Sequence, residues 1–271
     1  MDTKWIRETF GTEKPIIAMC HIRALPGDPS YDAEGGMERV VELAHQDMMN
    51  LQEGGVDAIM FSNEFSLPYL LKVEPLTMAC VARVIGEIKR DLHIPFGVNM
   101  LWDPIASIDV VTAVGGTFIR EIMSGVYASD FGLWNTNSGQ VARHKARAGN
   151  KDLKLMYNIV PEAARYLADR SVEEIARTTV FNACPDVLCV SGMTAGSETD
   201  TQILTRVKNA VPDTAVFCNT GCRSDNIERQ LSVADGAVVG TTFKVDGKFA
   251  NLVDRARVKT FMDVVKAFRK S

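Results

Sequence analysis

Short apolar runs alternate along the chain with longer segments whose apolar residues recur at helical spacing. Pro15–His21 (PIIAMCH) reads as a buried strand. Met37–Glu53 carries Val40, Val41, Leu43, Ala44, Met48 and Leu51 on a helical stripe and stops at Gly54-Gly55, a helix terminator. The rhythm then repeats. Asp57–Ser62, Pro95–Leu101 and Thr117–Glu121 read as strands, separated by helices over Pro75–Leu92 and Asp103–Val114. Ile122–Ser138 is an unusually long connection rich in Gly, Ser and Asn, and such loops are often functional. A basic helix follows over Gly139–Ala148. Strands over Leu153–Val160, Asp186–Ser191, Ala215–Asn219 and Asp235–Gly240 alternate with helices over Ser171–Ala183, Thr199–Val211, Ser224–Leu231 and Leu252–Arg269.

These are eight strand–helix units whose strands are apolar on both faces. Such strands need cover on both sides, which a parallel sheet with flanking helices provides. Eight units in 271 residues fit a closed (β/α)8 TIM barrel, α/β in class, spanning residues 1–271 as one domain. The competing architecture is an open doubly wound sheet. It would carry a glycine-rich dinucleotide turn after the first strand, where this chain has His21-Ile22-Arg23-Ala24-Leu25-Pro26-Gly27.

Composition narrows the function. Hydrophobic residues at 46% and charged residues at 24% exclude disorder and coiled coil. Thirty Lys+Arg against thirty-four Asp+Glu leave a net charge of −4, so no broad basic field exists to grip nucleic acid. No apolar run reaches the ~18 residues of a membrane span. The mixed-charge start carries no secretory signal, which places the chain in the cytoplasm with reduced thiols. Cys218-x3-Cys222 has no matching second pair, which argues against structural zinc.

A barrel places its site at the carboxyl ends of the strands. SGMTAG, NTG and VVGTT, after strands six, seven and eight, each set Gly beside a hydroxyl residue. Turns of this kind offer backbone N–H groups to an anion, so Gly192, Thr194, Asn219, Thr220, Gly221, Gly240 and Thr241 are candidates to hold a phosphate. The plainer alternative is that these residues serve only the turns. Glu64 and Glu121 stand on non-neighbouring strands and suit acid–base work, and His21 is the histidine at a strand end. The same three, with water, also suit a divalent cation, and no other cofactor is implied. Rim salt bridges are the bland reading of the carboxylates. Arg120 and Glu121 are adjacent, so strand alternation lets one of them face the mouth. Asn99 and Asn158 are placed to orient a hydroxylated substrate. Asp103 precedes a helix and reads as its N-cap, and Asp28 as a turn residue. Lys244 falls in a polar FKVDGK turn, so the sequence offers no well-placed lysine for imine chemistry.

Taken together, PIIAMCHIRALPGDPSYD, EGGVDAIMFSNEF, FGVNML, GGTFIRE, SDFGL, LADRSVEEIA, SGMTAG and VADGAVVGTTFKVDG resemble the BtpA/SgcQ family from about Pro15 to Lys248. The resemblance implies a barrel similar to the ribulose-phosphate-binding group. One branch is named for photosystem I biogenesis, and other members resemble components of bacterial carbohydrate-uptake gene clusters. The chain departs from the family pattern at strand five, where Tyr157, Asn158 and Val160 replace Asp and His positions, and at Asn219-Thr220-Gly221. Asn158 in place of a carboxylate removes a base or metal ligand.

The leading expectation is an isomerase, epimerase or lyase acting on a small phosphorylated sugar or related metabolite. Hydrolysis of a glycosidic or phosphate bond is the rival chemistry, and a non-catalytic assembly or regulatory factor is the rival class. Homo-oligomerisation is expected through the long loop after strand four or the basic helix.

Overall fold

A computed structural model describes residues 4–192 and 198–270. Eight parallel strands close into a barrel: β1 (Ile16–His21), β2 (Ala58–Ser62), β3 (Phe96–Asn99), β4 (Phe118–Glu121), β7 (Lys154–Val160), β9 (Val187–Val190), β10 (Ala215–Cys218) and β11 (Gly236–Val239). Chain order equals barrel order, and β11 pairs with β1 to close the ring. The expected (β/α)8 architecture is therefore present, and no open sheet edge remains in the barrel.

Alternation along each strand sorts the core into two layers. In β1, Ile16, Ala18 and Cys20 face the surrounding helices, while Ile17 and Met19 face the barrel interior. The interior cluster continues with Ala58, Met60, Phe118, Met156, Val187, Cys189, Ala215, Phe217 and Val238. Two glycines make room for the largest interior rings. A Cβ on Gly97 would stand 2.3 Å from the Phe118 ring, and one on Gly236 2.5 Å from the Phe217 ring. Each ring fills its neighbour's missing side chain, and burial of such a ring stabilises by ~1.5–3 kcal/mol.

The helices are α2 (Gly36–Gly54), α3 (Pro75–Ile88), α4 (Pro104–Val114), α5 (Ser138–Ala148), α6 (Val172–Ala183), α7 (Thr201–Ala210), α8 (Ile227–Leu231) and α9 (Arg255–Phe268). Their ends follow local chemistry. Asp103 caps α4 by accepting from Ile105 and Ala106 N–H, as the sequence suggests, and Ser171 with Glu174 forms a capping box on α6. The third helix ends earlier than its pattern suggested, continuing as a 3-10 turn over Lys89–Asp91, and α8 is a short helix begun at Ile227.

Two elements were not expected. Helix α1 (Lys4–Phe10) inserts Ile6 and Phe10 into the interior cluster, with Phe10 edge-on to Phe118 at 5.6 Å between centroids. The long connection after β4 is not structureless. It holds the hairpin β5 (Val126–Ser129) and β6 (Gly132–Asn135), joined by β8 (Ala164–Tyr166) into a three-stranded antiparallel sheet. Ile122, Tyr127 and Trp134 form a buried cluster beneath it, and the Tyr127 hydroxyl donates to the Ile159 carbonyl of β7 at 3.3 Å. No described helix is long and apolar enough to cross a membrane.

Candidate functional site

Continuing each inward row by one position reaches the mouth, and there the interior changes from apolar to polar. Two residues beyond Met19 is His21, beyond Met60 is Ser62, and beyond Phe118 is Arg120. Asn158, Ser191, Asn219 and Gly240 follow Met156, Cys189, Phe217 and Val238 in the same way, and Asn99 follows Gly97. Apart from the glycine, these side chains are buried. Buried polar groups must be satisfied, and here they largely satisfy one another. Arg120 donates to Asn99 Oδ1 at 2.5 Å and reaches across the barrel to Asn219 Oδ1 at 2.9 Å. The Ser191 hydroxyl accepts from Asn219 at 2.7 Å and from Asn158 at 3.1 Å.

Arg120 is thus the inward member of the Arg120–Glu121 pair. Glu121 lies off the inward row, buried, accepting from Asn99 Nδ2 at 2.5 Å and from the Ile122 N–H at 3.2 Å. Burial, opposed by the adjacent Arg120 charge, pushes its carboxyl well above the ordinary range.

A cavity of about 440 Å³ opens above this polar layer. His21, Glu64, Arg120, Asn219, Thr220, Gly221, Gly240 and Thr241 stand on its wall. Glu121, Asn99, Asn158 and Gly192 do not, so the sequence-derived set divides into wall residues and residues beneath or behind the wall. Thr194 lies outside the described residues. Gly192 is turned to a structural use, its N–H donating to the Thr220 hydroxyl at 2.6 Å. Asp28 is a turn residue, accepting from Leu25 N–H and the Ser66 hydroxyl at 2.7 Å each. Among the described residues, no three His, Cys, Asp or Glu side chains converge to hold a metal ion. The Cys218 and Cys222 sulfurs lie 3.2 Å apart, both buried, and all six cysteines are thiols.

The turns after β10 and β11 are tightly braced. Gly221 takes a left-handed φ of +68°, Asn226 Nδ2 donates to its carbonyl at 3.0 Å, and the Thr242 hydroxyl ties the two turns by donating to the Cys222 carbonyl at 2.6 Å. Gly240 sits close to the imidazole: a Cβ there would stand 3.1 Å from His21 Nε2, a tight contact. Two arginines that the sequence did not single out join this wall. Arg257, in the first turn of α9, donates to the Thr242 carbonyl at 3.0 Å. Arg223 is held by Glu198 at 3.1 Å and Asp225 at 3.2 Å.

The cavity also has an acidic lining. Glu64 accepts from the Ser62 hydroxyl at 2.9 Å, and burial raises its carboxyl against the opposing pull of Arg120. Glu162, also not anticipated, follows β7 and lines the same cavity. Burial, and then the nearby Glu64 charge, push it up to about 7. One of its oxygens, Oε2, is closed to solvent without a hydrogen-bond partner. His21 is driven the other way. Burial, then the charges of Lys244, Arg120 and Arg23, hold it well below its ordinary value, so its ring is neutral.

The turn after β11 keeps Val245, Asp246 and Lys248 exposed, but the Lys244 side chain is fully buried and pairs with Asp47 at 3.3 Å. Asp47 stands on the buried stripe of α2 and also accepts from Val253 N–H at 2.7 Å. The ion pair accounts for a lysine that turns inward from an otherwise polar turn. The ammonium is committed to Asp47 and is not on the cavity wall.

Comparison with known proteins places these features in a lineage. The chain is 59% identical to the sgc region protein SgcQ of Escherichia coli (strain K12), over 98% of this chain and 99% of that protein. It is 28% identical to the photosystem I biogenesis protein BtpA of Synechocystis sp., over 97% of this chain and 92% of that protein. Among solved structures, (S)-3-O-geranylgeranylglyceryl phosphate synthase from Thermoplasma acidophilum, in complex with sn-glycerol-1-phosphate, aligns with a TM-score of 0.62. That alignment covers 98% of both chains at 13% identity, a likeness of fold. The model of the BtpA family matches residues 12–267, and the chain belongs to the BtpA family.

Proposed function

We propose that this protein is an enzyme acting on a small phosphorylated sugar or related metabolite, of isomerase, epimerase or lyase type. The observation that carries the reading is a cavity that brings two unlike sets of groups together. One set is the braced turns Thr220–Gly221 and Gly240–Thr241 with Arg257; the other is Glu64 and the neutral His21, whose ring lies beside Gly240. Glycine–hydroxyl turns in this barrel position are suited to a phosphate, and Arg257 adds a cation beside them. Arg120 lines the same cavity, where it can stabilise charge that develops on a substrate oxygen. Asn99 and Glu121 act from beneath by fixing Arg120, and Asn158 with Ser191 fixes Asn219. The barrel neighbour that holds sn-glycerol-1-phosphate is in keeping with this reading, which rests on the chain's own turns.

Calorimetry tests it with inorganic phosphate, a panel of phosphosugars and the matching unphosphorylated sugars. Phosphorylated compounds should bind the wild type. Thr241→Asp, which sets a carboxylate at the proposed phosphate position, should lose that binding while its melting temperature is retained. Equal binding by the folded variant, or by sugars with no phosphate, would sink the proposal.

A further inference from the structure

Two carboxyls line the cavity, and they are held differently. Glu64 is tethered: its Oε2 accepts from Ser62, and its backbone carbonyl accepts from the Tyr69 hydroxyl at 2.9 Å. Glu162 is untethered: its Oε2 is shielded from solvent and has no partner. His21, 5% exposed, lines the same cavity, and one of its ring nitrogens, Nδ1, is also unpartnered. A shielded carboxyl with an unmade hydrogen bond is costly to keep in a fold unless something else completes it. Here two residues that carry such an unmade hydrogen bond line one cavity.

We propose that Glu162 is the acid–base residue of this site, moving a proton between adjacent carbons of a phosphorylated α-hydroxy aldehyde or ketone. The inference rests on the phosphorylated-substrate reading and adds to it the reacting group and the substrate class. In the forward step a Glu162 oxygen takes the proton from the carbon beside the carbonyl. The C–H electron pair becomes the second bond of an enediol, and the carbonyl oxygen takes a proton from the His21 ring. The neighbouring hydroxyl returns a proton to His21 as its own oxygen becomes the new carbonyl. Glu162 then delivers its proton to the former carbonyl carbon. Electrons move only within the substrate, so no oxidant, reductant or metal enters the balance. Burial, and then the neighbouring Glu64, bring the Glu162 carboxyl up to about 7, so near neutral pH its carboxylate form is present to take a proton and its acid form to give one back. A group that gives and takes a proton within one cycle works best when its two forms are near balance at the working pH.

Glycidol phosphate, an epoxide carrying a phosphate, tests both parts on the wild-type chain. A carboxylate positioned as a base attacks the epoxide carbon. A C–O ester bond forms, the ring C–O bond breaks, and the released alkoxide takes a proton from water. Peptide mapping should find the ester on Glu162, formed faster as pH rises through about 7. Inorganic phosphate at ten times its dissociation constant should slow labelling about ten-fold. Glu162→Gln, checked by its melting curve, should remove the label. Labelling of Glu162 that phosphate does not slow keeps the acid–base assignment and removes the phosphate reading. Labelling of Glu64 or another residue with phosphate protection does the reverse and overturns the assignment, as does the absence of any label.

Discussion

Arg120 crosses the barrel as a strut, and its removal should be felt as a loss of stability. Arg120→Met keeps the side-chain length and deletes the donors to Asn219 Oδ1 and Asn99 Oδ1. Both asparagines are buried, so their carbonyl oxygens would be left without these donors. Each orphaned acceptor costs ~1–3 kcal/mol, or ~2–6 kcal/mol for the two. Arginine is itself only 8% exposed, and relief from burying its charge offsets part of this. A net loss of about 3 kcal/mol follows, which in a chain of this size lowers the melting temperature by roughly 6–12 °C. Thermal and urea unfolding of the two proteins measure it. Arg120→Lys, which keeps the charge but not the fork, should fall between them. A melting temperature within about 2 °C of wild type would mean that the bonds across the barrel contribute no net stability, and the strut argument would fail.

Two further outcomes follow from the same geometry. Glu162 moves from its ordinary 4.5 to about 7 on folding, so the folded state holds its proton more tightly. Its contribution to stability is present below 4.5 and is lost as pH rises to about 7, on the order of 3 kcal/mol in all. Urea midpoints across that window should flatten in Glu162→Gln, and an unchanged slope would show that Glu162 does not hold the proton. His21 has the opposite sign, since its depressed value removes stability as pH falls below 6.5, so the difference between the two proteins isolates Glu162. At the other end of the barrel, Phe10→Ala should cost about 3 kcal/mol, because Phe10 is buried in the interior cluster, edge-on to Phe118. A melting curve unchanged by that substitution would mean α1 is an ornament on the barrel and not part of its core.

The barrel was legible because its strands are buried on both faces, which leaves uninterrupted apolar runs such as PIIAMC and AVFC between helical stripes. The mouth was legible for the same reason: polar residues that end an apolar strand, such as His21 and Asn219, have little reason to be there except to face the opening. The small sheet was not legible. Its strands are three or four residues long and mix Ser, Asn and Gly with aromatics, and its third member comes from a connection thirty residues later, a pairing with no local signature. Glu162 was missed on the same account, since it lies in an irregular turn whose direction is set by β8. Lys244 was misplaced because its partner Asp47 is nearly two hundred residues away, although a carboxylate on the apolar stripe of α2 was a visible clue.

The small sheet gives the loops at the mouth an unusual mechanical linkage. Strand β8 begins two residues after Glu162 and is hydrogen-bonded to β5, so the segments following the fourth and fifth barrel strands form one plate. Such a plate has fewer independent degrees of freedom than two separate loops. Any tilt that widens the opening on the side of β5 and β6 draws on the short tether of Ala163, whose carbonyl accepts from Asp130 at 3.2 Å, and so shifts the Glu162 carboxyl as well. Access to the cavity and the placement of its untethered carboxyl are then one coordinate, and a substitution on the outer hairpin acts on both at once.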